Sequence, residues 1–327
     1  MIKLPYARLG ALLCVTMIAA GCSAGSGDDD ASQVADEAAT PIVAQVASYD
    51  LTAEQPQRVI VGLLDNEGNV VSFGDVEFSF SYLGTTDEPL ESPVEVRSVT
   101  ADFRPIPGQD LDLDTPGPRI GEPSGGAGVY GADDVSFADA GIWEVAVTAD
   151  LPEGEATATA NFEVVAESDI PNVGDPAPRT ENLLPGDSDA PVDAIDSRAE
   201  PDGTVPDPDL HAETVAQAIA SGRPALVVVS TPVFCVSRFC GPITDSVAAL
   251  AAQTGDDVAF IHIEVWRDFE RSVLNQGAAD WIWPNEEGDD IHEPWVFLVG
   301  SDGTVVQRWD NVATDAELQA AIDQIRP

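Results

Sequence analysis

The chain of 327 residues is long enough for two domains of ordinary size, and its 44% hydrophobic residues allow each domain a core of its own. Its formal net charge at pH 7 is −44, and a negative field of that size repels nucleic acid, which excludes nucleic-acid binding as a function. The same charge is expected in a protein from a salt-tolerant source, where salt screens the carboxylates, or in a proteome that is acidic throughout.

Residues 1–21 have the pattern of an export signal, in which two basic residues precede an apolar run too short to span a bilayer. The sequence AAGC at 19–22 resembles a bacterial lipobox, which implies cleavage before Cys22 and attachment of lipid to that cysteine. The alternative is an ordinary secreted protein that is cut nearby. Residues 22–40 are acidic and rich in Ser and Gly, and they are predicted to form a tether. The resemblance therefore implies a lipid-anchored protein on the extracytoplasmic face of the cell membrane.

Residues 41–166 alternate between apolar and polar side chains, which predicts short β-strands separated by turns. Seven or eight such strands fit an immunoglobulin-like β-sandwich. Residues 104–128 are rich in Pro and Gly and are predicted to form a long loop. The stretch at 128–147 resembles the closing strands of small exported immunoglobulin-like modules. Because the region contains no Cys, His or Lys, we expect it to bind a ligand or to act as a spacer rather than to catalyse a reaction.

Residues 167–208 are acidic and rich in Pro, and they are predicted to connect the sandwich to a second domain at 209–327. In that domain helical periodicity alternates with unbroken apolar runs, which are typical of strands buried on both faces. The predicted elements, in chain order, are a helix at 211–222, a strand at 225–230, a helix at 242–255, a strand at 258–265, a hairpin at 294–309 and a last helix that begins with a capping box of Thr314 and Glu317.

Two cysteines remain available for chemistry. Cys14 lies in the predicted export signal and Cys22 is assigned to the lipid, which leaves Cys235 and Cys240 with four residues between them. An exported compartment is oxidising, so we expect this pair to form a disulfide at least part of the time. The residues alone leave three alternatives open, which are a redox centre, a metal site and a purely structural disulfide.

The order of elements at 209–327 resembles the thioredoxin-like superfamily. Two motifs carry the resemblance: the sequence CGP that begins at Cys240, at a strand-to-helix junction, and the sequence EPWVFLV at 293–299, in which Pro294 matches the cis-proline of the family. The sequence VGDPAP at 173–178 is similar to the opening of exported members. The resemblance implies an α/β domain that follows the β-sandwich.

The resemblance also implies a thiol-disulfide oxidoreductase that needs no cofactor and acts on the thiols or disulfides of exported proteins. Cys240 matches the family's nucleophile, and a position at a helix N-terminus favours its thiolate. The family's second cysteine falls on Ile243, so Cys235 is expected to release the mixed disulfide in its place. Pro294 is expected to lie against the pair and to hold the substrate peptide.

An alternative resemblance concerns copper. His292 precedes an Asp-Gly turn by the same distance as the copper-binding histidine of the Sco-type cytochrome oxidase assembly proteins, which are also tethered thioredoxin-like domains. This implies a copper site made of Cys235, Cys240 and His292. A further alternative is a redox-inert binding protein in which the disulfide is structural.

The remaining candidate residues are polar side chains and tryptophans of the second domain. Glu264 and Glu293 are candidates for tuning the thiols or relaying protons. His262 lies in an apolar strand and is expected to be a core histidine, whereas His211 lies near a helix start and is expected to be solvated. The tryptophans of this domain are expected to pack in its core, and Trp295, which follows the proline, is an alternative contact for a substrate.

Overall fold

The computed structural model describes residues 41–187, 190–235, 237, 239–283 and 291–326. The predicted export signal, Cys22 and the tether lie outside these residues, so their assignments stay predictions. From Ala39 onward the chain forms one compact unit. None of the described helices is both long and apolar enough to cross a bilayer.

The first half is made of antiparallel strands, as the alternating pattern predicts. Its strands are β1 (Ile42–Val46), β2 (Gln57–Asp65), β3 (Val70–Ser72), β4 (Asp75–Gly84), β5 (Pro89–Pro105), β6 (Arg119–Gly121), β7 (Gly128–Val135), β8 (Gly141–Leu151) and β9 (Gly154–Val164). They pair in the order β6-β3-β2-β7-β5-β4-β8-β9, with β1 against β2. Alternate side chains of each long strand point into one core, which includes Val61 of β2, Phe78 of β4 and Val145 of β8.

The predicted long loop at 104–128 is only partly irregular. β5 continues to Pro105, and β6 pairs with β3 inside the segment that was expected to lack regular structure. The sequence did not predict this strand, because three residues are too few for a period to appear. The surrounding Pro and Gly residues also indicated irregular structure.

The second half contains a four-stranded sheet with helices on both faces. Its elements are α1 (Val215–Ser221), β10 (Ala225–Ser230), α2 (Cys240–Thr254), β11 (Ala259–Glu264), β12 (Trp266–Asp268), β13 (Val273–Leu274), α3 (Gln276–Ile282), β14 (Trp295–Val299), β15 (Val305–Asp310) and α4 (Asp315–Ile325). The sheet order is β11-β10-β14-β15, in which β10 and β11 are parallel and the other pairs antiparallel. β12 and β13 form a separate two-stranded pair.

Both faces of this sheet are buried, which explains the unbroken apolar runs. Every residue of β10 and β11 is buried. On one face Val227 packs in a core with α1 and α3 residues such as Ala218 and Trp281, and on the other Val228 packs with Val247 of α2 and Leu318 of α4. Two helical layers around a mixed sheet, in which β10 and β11 are the parallel pair, follow from this pattern.

The helix ends follow their capping residues. Thr314 and Glu317 form the expected capping box at the start of α4. α1, however, begins at Val215 with a capping box of Thr214 and Gln217, so the predicted start at residue 211 was four residues too early. The segment before it is a short 3-10 helix, Pro208–His211, and His211 is buried rather than solvated as expected.

Much of the predicted connector at 167–208 packs against the second sheet. The backbone N–H of Gly174 donates to the carbonyl of Val305 (2.8 Å), and that of Ala177 donates to the carbonyl of Gly303 (2.9 Å). Further along, the side chains of Asn182 and Asp196 are buried. The acidic composition of this segment therefore does not make it a free linker, because specific polar groups are paired in the interior.

Arginine side chains join the two halves of the compact unit. The side chain of Arg58 of β2 is 9% exposed, and its guanidinium lies 3.0 Å from Asp310 Oδ1 and donates to the carbonyl oxygens of Asp310 (2.6 Å) and Val312. Arg104 of β5 lies 2.7 Å from Glu317 Oε1 of α4. The charged contacts cross from the first sheet to the end of the second sheet and to the last helix.

We predict that Arg58→Met destabilises the protein by about 3 kcal/mol, because it removes the cation from the buried Asp310 carboxylate and leaves Asp310 Oδ1 and two carbonyl oxygens without the guanidinium, while Asp310 Oδ2 keeps the N–H of Tyr49 (2.7 Å). The free energy of unfolding in urea measures this. Arg271→Met is the matched control: Arg271 is 81% exposed and pairs with Asp268 at 2.9 Å on the surface. Its loss is expected to cost less than about 1 kcal/mol. Equal effects of the two variants would show that the Arg58 contacts add nothing to stability.

Candidate redox site

Cys235 and Cys240 form a disulfide, and their Cα atoms are 6.0 Å apart. β10 ends at Ser230, the chain turns so that the N–H of Cys235 donates to the carbonyl of Thr231 (3.1 Å), and α2 begins at Cys240. The side chain of the N-cap residue, Phe239, makes no capping hydrogen bond. The N–H groups of the first helical turn and the helix dipole therefore favour negative charge on the Cys240 sulfur.

The two cysteines differ in accessibility. Cys240 has 0% of its surface exposed, whereas Cys235 is half-buried, and its Sγ lies 3.2 Å from Ser237 Oγ. An incoming thiolate can therefore reach this disulfide only at the Cys235 end. Sequence reasoning placed Cys240 at the helix N-terminus correctly but had no signal for its burial.

Glu293 is the side chain that completes the site. The peptide bond between Glu293 and Pro294 is cis, and a Glu293 carboxylate oxygen and the two sulfur atoms lie within 4.8 Å of one another. Glu293 Oε2 is buried and has no hydrogen-bond partner among the described residues. Burial, with a smaller contribution from the nearby Glu264 carboxylate, raises the pKa of Glu293 to about 8.

Glu264 is a second buried carboxyl, at the end of β11. It accepts hydrogen bonds from the backbone N–H groups of Ser197 (2.8 Å) and Trp266 (3.3 Å). Burial raises its pKa despite these bonds. The structure therefore brings Glu293, one of the two glutamates noted from the sequence, to the sulfur pair, and places Glu264 close enough to raise the pKa of Glu293.

The first half of the chain contributes Tyr49 to the site. The Tyr49 ring stacks on His292, with ring centroids 4.6 Å apart and planes 14° apart. Its hydroxyl lies 2.9 Å from the carbonyl oxygen of Glu293 and also contacts Asn311 Oδ1. Burial raises the pKa of the Tyr49 hydroxyl above its usual value of 10.0. Sequence reasoning missed this residue, because nothing local to an isolated tyrosine predicts a contact across 244 positions.

The loop before Cys240 is also anchored to the first half. Phe239 packs in a small apolar cluster with Ile60, Val129 and Val312. Together with the contacts of Tyr49, this cluster ties the backbone beside the cysteines to β2 and β7. The region without Cys, His or Lys thus positions the site although it supplies none of its reactive groups.

His292 does not lie with the sulfur pair in this structure. Its ring lies against Tyr49, and the ligand-type side chain that the described residues bring to Cys235 and Cys240 is Glu293. The donor set at the pair is therefore two sulfurs and a carboxylate, instead of the two sulfurs and imidazole that the copper alternative implies.

The aromatic residues divide into core and surface. Trp281 and Trp295 are buried, and Trp281 Nε1 donates to Thr180 Oγ1 (3.0 Å). Phe234, the residue before Cys235, stacks on Phe269 with centroids 4.2 Å apart, and Phe269 is 43% exposed. The accessible cysteine therefore lies beside an exposed aromatic surface, which suits contact with another polypeptide.

No protein-family description and no curated protein matches the chain. Among solved structures, the sporulation control protein Spo0M from Bacillus subtilis is similar at 11% identity, over 39% of this chain and 49% of that chain, with a TM-score of 0.22. The chain thus spans about half the length of that protein. BslA, a bacterial hydrophobin, is similar at 15% identity over 39% of this chain and 98% of that one, with a TM-score of 0.19. Likenesses of this size indicate no function, so the site is judged on its own geometry.

Proposed function

We propose that this protein is a lipid-anchored, extracytoplasmic thiol-disulfide oxidoreductase, built from an immunoglobulin-like β-sandwich at 41–166 and a thioredoxin-like domain at 209–327. The observation that carries the proposal is the Glu293 carboxyl beside the disulfide, whose buried Oε2 has no hydrogen-bond partner among the described residues. A structural disulfide needs no such group, and burying one costs free energy. A strongly shifted carboxyl next to a reactive group is typical of a functional site. The anchor and the compartment rest on the sequence that ends at Cys22.

The accessible sulfur sets the order of events. A thiolate of the partner protein attacks Cys235 Sγ, a new disulfide forms between partner and Cys235, and the Cys235–Cys240 bond breaks with its electron pair passing to Cys240. The helix N-terminus stabilises the departing Cys240 thiolate. A second partner thiolate then displaces Cys235. The partner leaves oxidised and both cysteines are reduced by two electrons in total, and the same steps run backwards with a disulfide partner.

Glu293 supplies the proton that this exchange requires. Because its pKa is about 8, the carboxyl holds a proton at neutral pH. Its oxygen lies within 4.8 Å of both sulfurs, so through one water molecule it gives that proton to Cys240 as the bond breaks and takes it back when the disulfide forms again. No cofactor enters these steps.

The experiment that tests the proposal is a redox titration of the native protein in glutathione buffers, read as free thiols per chain. We expect Cys235 and Cys240 to equilibrate with glutathione at a potential above about −300 mV, because a disulfide with a stabilised leaving thiolate is easier to reduce than a structural one. A bond that resists glutathione in the native state and is reduced only after unfolding would show that the disulfide is structural.

A further inference from the structure

Three ligand-type side chains meet in the interior of the second half, in a group separate from the one formed by the disulfide and Glu293. Asp196 follows the short 3-10 helix Val192–Ala194, His211 ends the 3-10 helix Pro208–His211, and His262 lies in the middle of β11. None of the three side chains has exposed surface. We refer to them as the His–Asp cluster.

The spacing of the cluster is that of metal ligands. His211 Nε2 and His262 Nδ1 each lie 3.4 Å from the same atom, Asp196 Oδ2. Charge-assisted hydrogen bonds between nitrogen and a carboxylate are shorter, at about 2.7–2.9 Å. In a tetrahedral zinc site with bonds of about 2.1 Å, neighbouring ligand atoms are about 3.4 Å apart. The His211 contact is within reach of a long hydrogen bond, but both distances match the edge of a tetrahedral site, and all three atoms lie within 4.8 Å of one another.

The hydrogen bonding of His262 requires a positive charge beside its Nδ1. Its Nε2 lies 3.2 Å from the carbonyl oxygen of Ser230, to which it can only donate. A neutral ring then carries a lone pair on Nδ1, and this buried Nδ1 has no hydrogen-bond partner among the described residues. It nevertheless faces a carboxylate oxygen, which carries lone pairs as well. Two lone pairs at this distance repel unless a positive charge, either a metal ion or a proton on Nδ1, lies between them.

The surroundings of the cluster match the outer contacts of a metal site. Metal-binding histidines commonly donate their second ring nitrogen to a backbone carbonyl, as His262 does to Ser230, and binding carboxylates are themselves hydrogen-bonded. The second nitrogen of His211, Nδ1, has no such partner among the described residues. Asp196 Oδ1 accepts from the backbone N–H (2.8 Å) and the Nε (3.1 Å) of Arg198. Arg198 Nη2 also lies 2.8 Å from Asp196 Oδ2, and that contact would compete with an ion. Arg198 keeps its pairs with Asp207 (2.8 Å) and Asp245 (2.7 Å) without it.

We propose that Asp196, His211 and His262 bind one divalent transition-metal ion of the zinc class, through Oδ2, Nε2 and Nδ1 respectively. Two imidazoles and a carboxylate suit such an ion, and the calcium and magnesium class prefers oxygen ligands alone. The ligands come from the segment before α1 and from β11, so the ion ties that segment to the edge of the sheet. The complete burial of the ligands assigns the ion a structural role.

Metal content and thermal unfolding of the purified full chain test the proposal. After exchange into buffer with zinc and removal of free ion, we expect one zinc per chain, and a chelator is expected to lower the unfolding temperature. His262→Gln and His211→Gln are expected to lose the zinc. His292→Gln is the matched control, because it changes the only other histidine, which lies against Tyr49, and it should keep one zinc per chain.

Two further experiments identify which residues bind the metal. The double variant Cys235→Ser, Cys240→Ser should still bind one zinc, which separates the His–Asp cluster from the sulfur pair. If a histidine variant fails to fold, a cobalt titration of the native chain decides, since nitrogen and oxygen ligands give a spectrum without the intense charge-transfer band of thiolate. A native chain that binds no metal in saturating zinc would overturn the proposal and leave a protonated His262 as the cation. Zinc retained by both histidine variants would overturn it too.

Discussion

Cys240→Ser is expected to leave a fast-reacting thiol on Cys235, whereas Cys235→Ser is expected to leave a slow one on Cys240. The reason is access: Cys235 is half-buried beside exposed Phe269, and Cys240 has no exposed surface. A thiol must be reached before its pKa can matter. We expect the modification rate of Cys235 by a disulfide reagent in native buffer to exceed that of Cys240 by roughly tenfold or more.

The same variants differ in what they trap. Cys240→Ser lacks the thiol that would release a partner, so it should accumulate a mixed disulfide on Cys235 that mass analysis can locate. Unfolding in urea is the control, because both single thiols should then react at similar rates. A native Cys240 that reacts faster than Cys235 would restore the order that the family resemblance implies, with Cys240 as the attacking thiol.

The sequence was informative where a feature depends on neighbours along the chain. Alternation at Val59, Val61 and Leu63 predicted β2, the apolar run at 225–230 predicted the doubly buried β10, and Thr314 with Glu317 predicted the start of α4. These features follow from local periodicity and capping. The pairing of Cys235 with Cys240 was equally predictable, because the two are close in sequence and the other two cysteines are assigned to the predicted export signal and lipid.

The sequence did not predict features that depend on packing between distant segments. His211 was expected in solvent because it lies near a helix start, but the segment that precedes it folds against β11 and buries it beside Asp196. The contact of Tyr49 with Glu293 crosses from one half of the chain to the other. The acidic composition at 167–208 suggested a linker, since composition counts charges and does not show which of them are paired. The pairing of the two cysteines was thus predictable from the sequence, but the burial of Cys240 was not.

Glu293→Gln is expected to make the protein more stable and less active at neutral pH. In the unfolded chain a glutamate ionises near 4.5, whereas in the folded chain Glu293 ionises only near 8. Between these values the folded state binds one proton more, so the stability of the native protein falls by about 1.4 kcal/mol for each pH unit that is gained. The Gln side chain has no such proton to lose. The variant should therefore match the native protein near about pH 5 and exceed it increasingly up to about pH 8.

Urea unfolding of both proteins across this range measures the stability difference, and the exposed Glu163→Gln of β9 is the control that should show none. Exchange with a small dithiol at neutral pH measures activity in parallel. If Glu293 gives its proton to Cys240, the variant slows exchange although it is more stable, and a merely structural role would not separate the two readouts. A stability difference that does not change with pH would mean that Glu293 ionises normally in the folded protein, and its place in the exchange mechanism would then be lost.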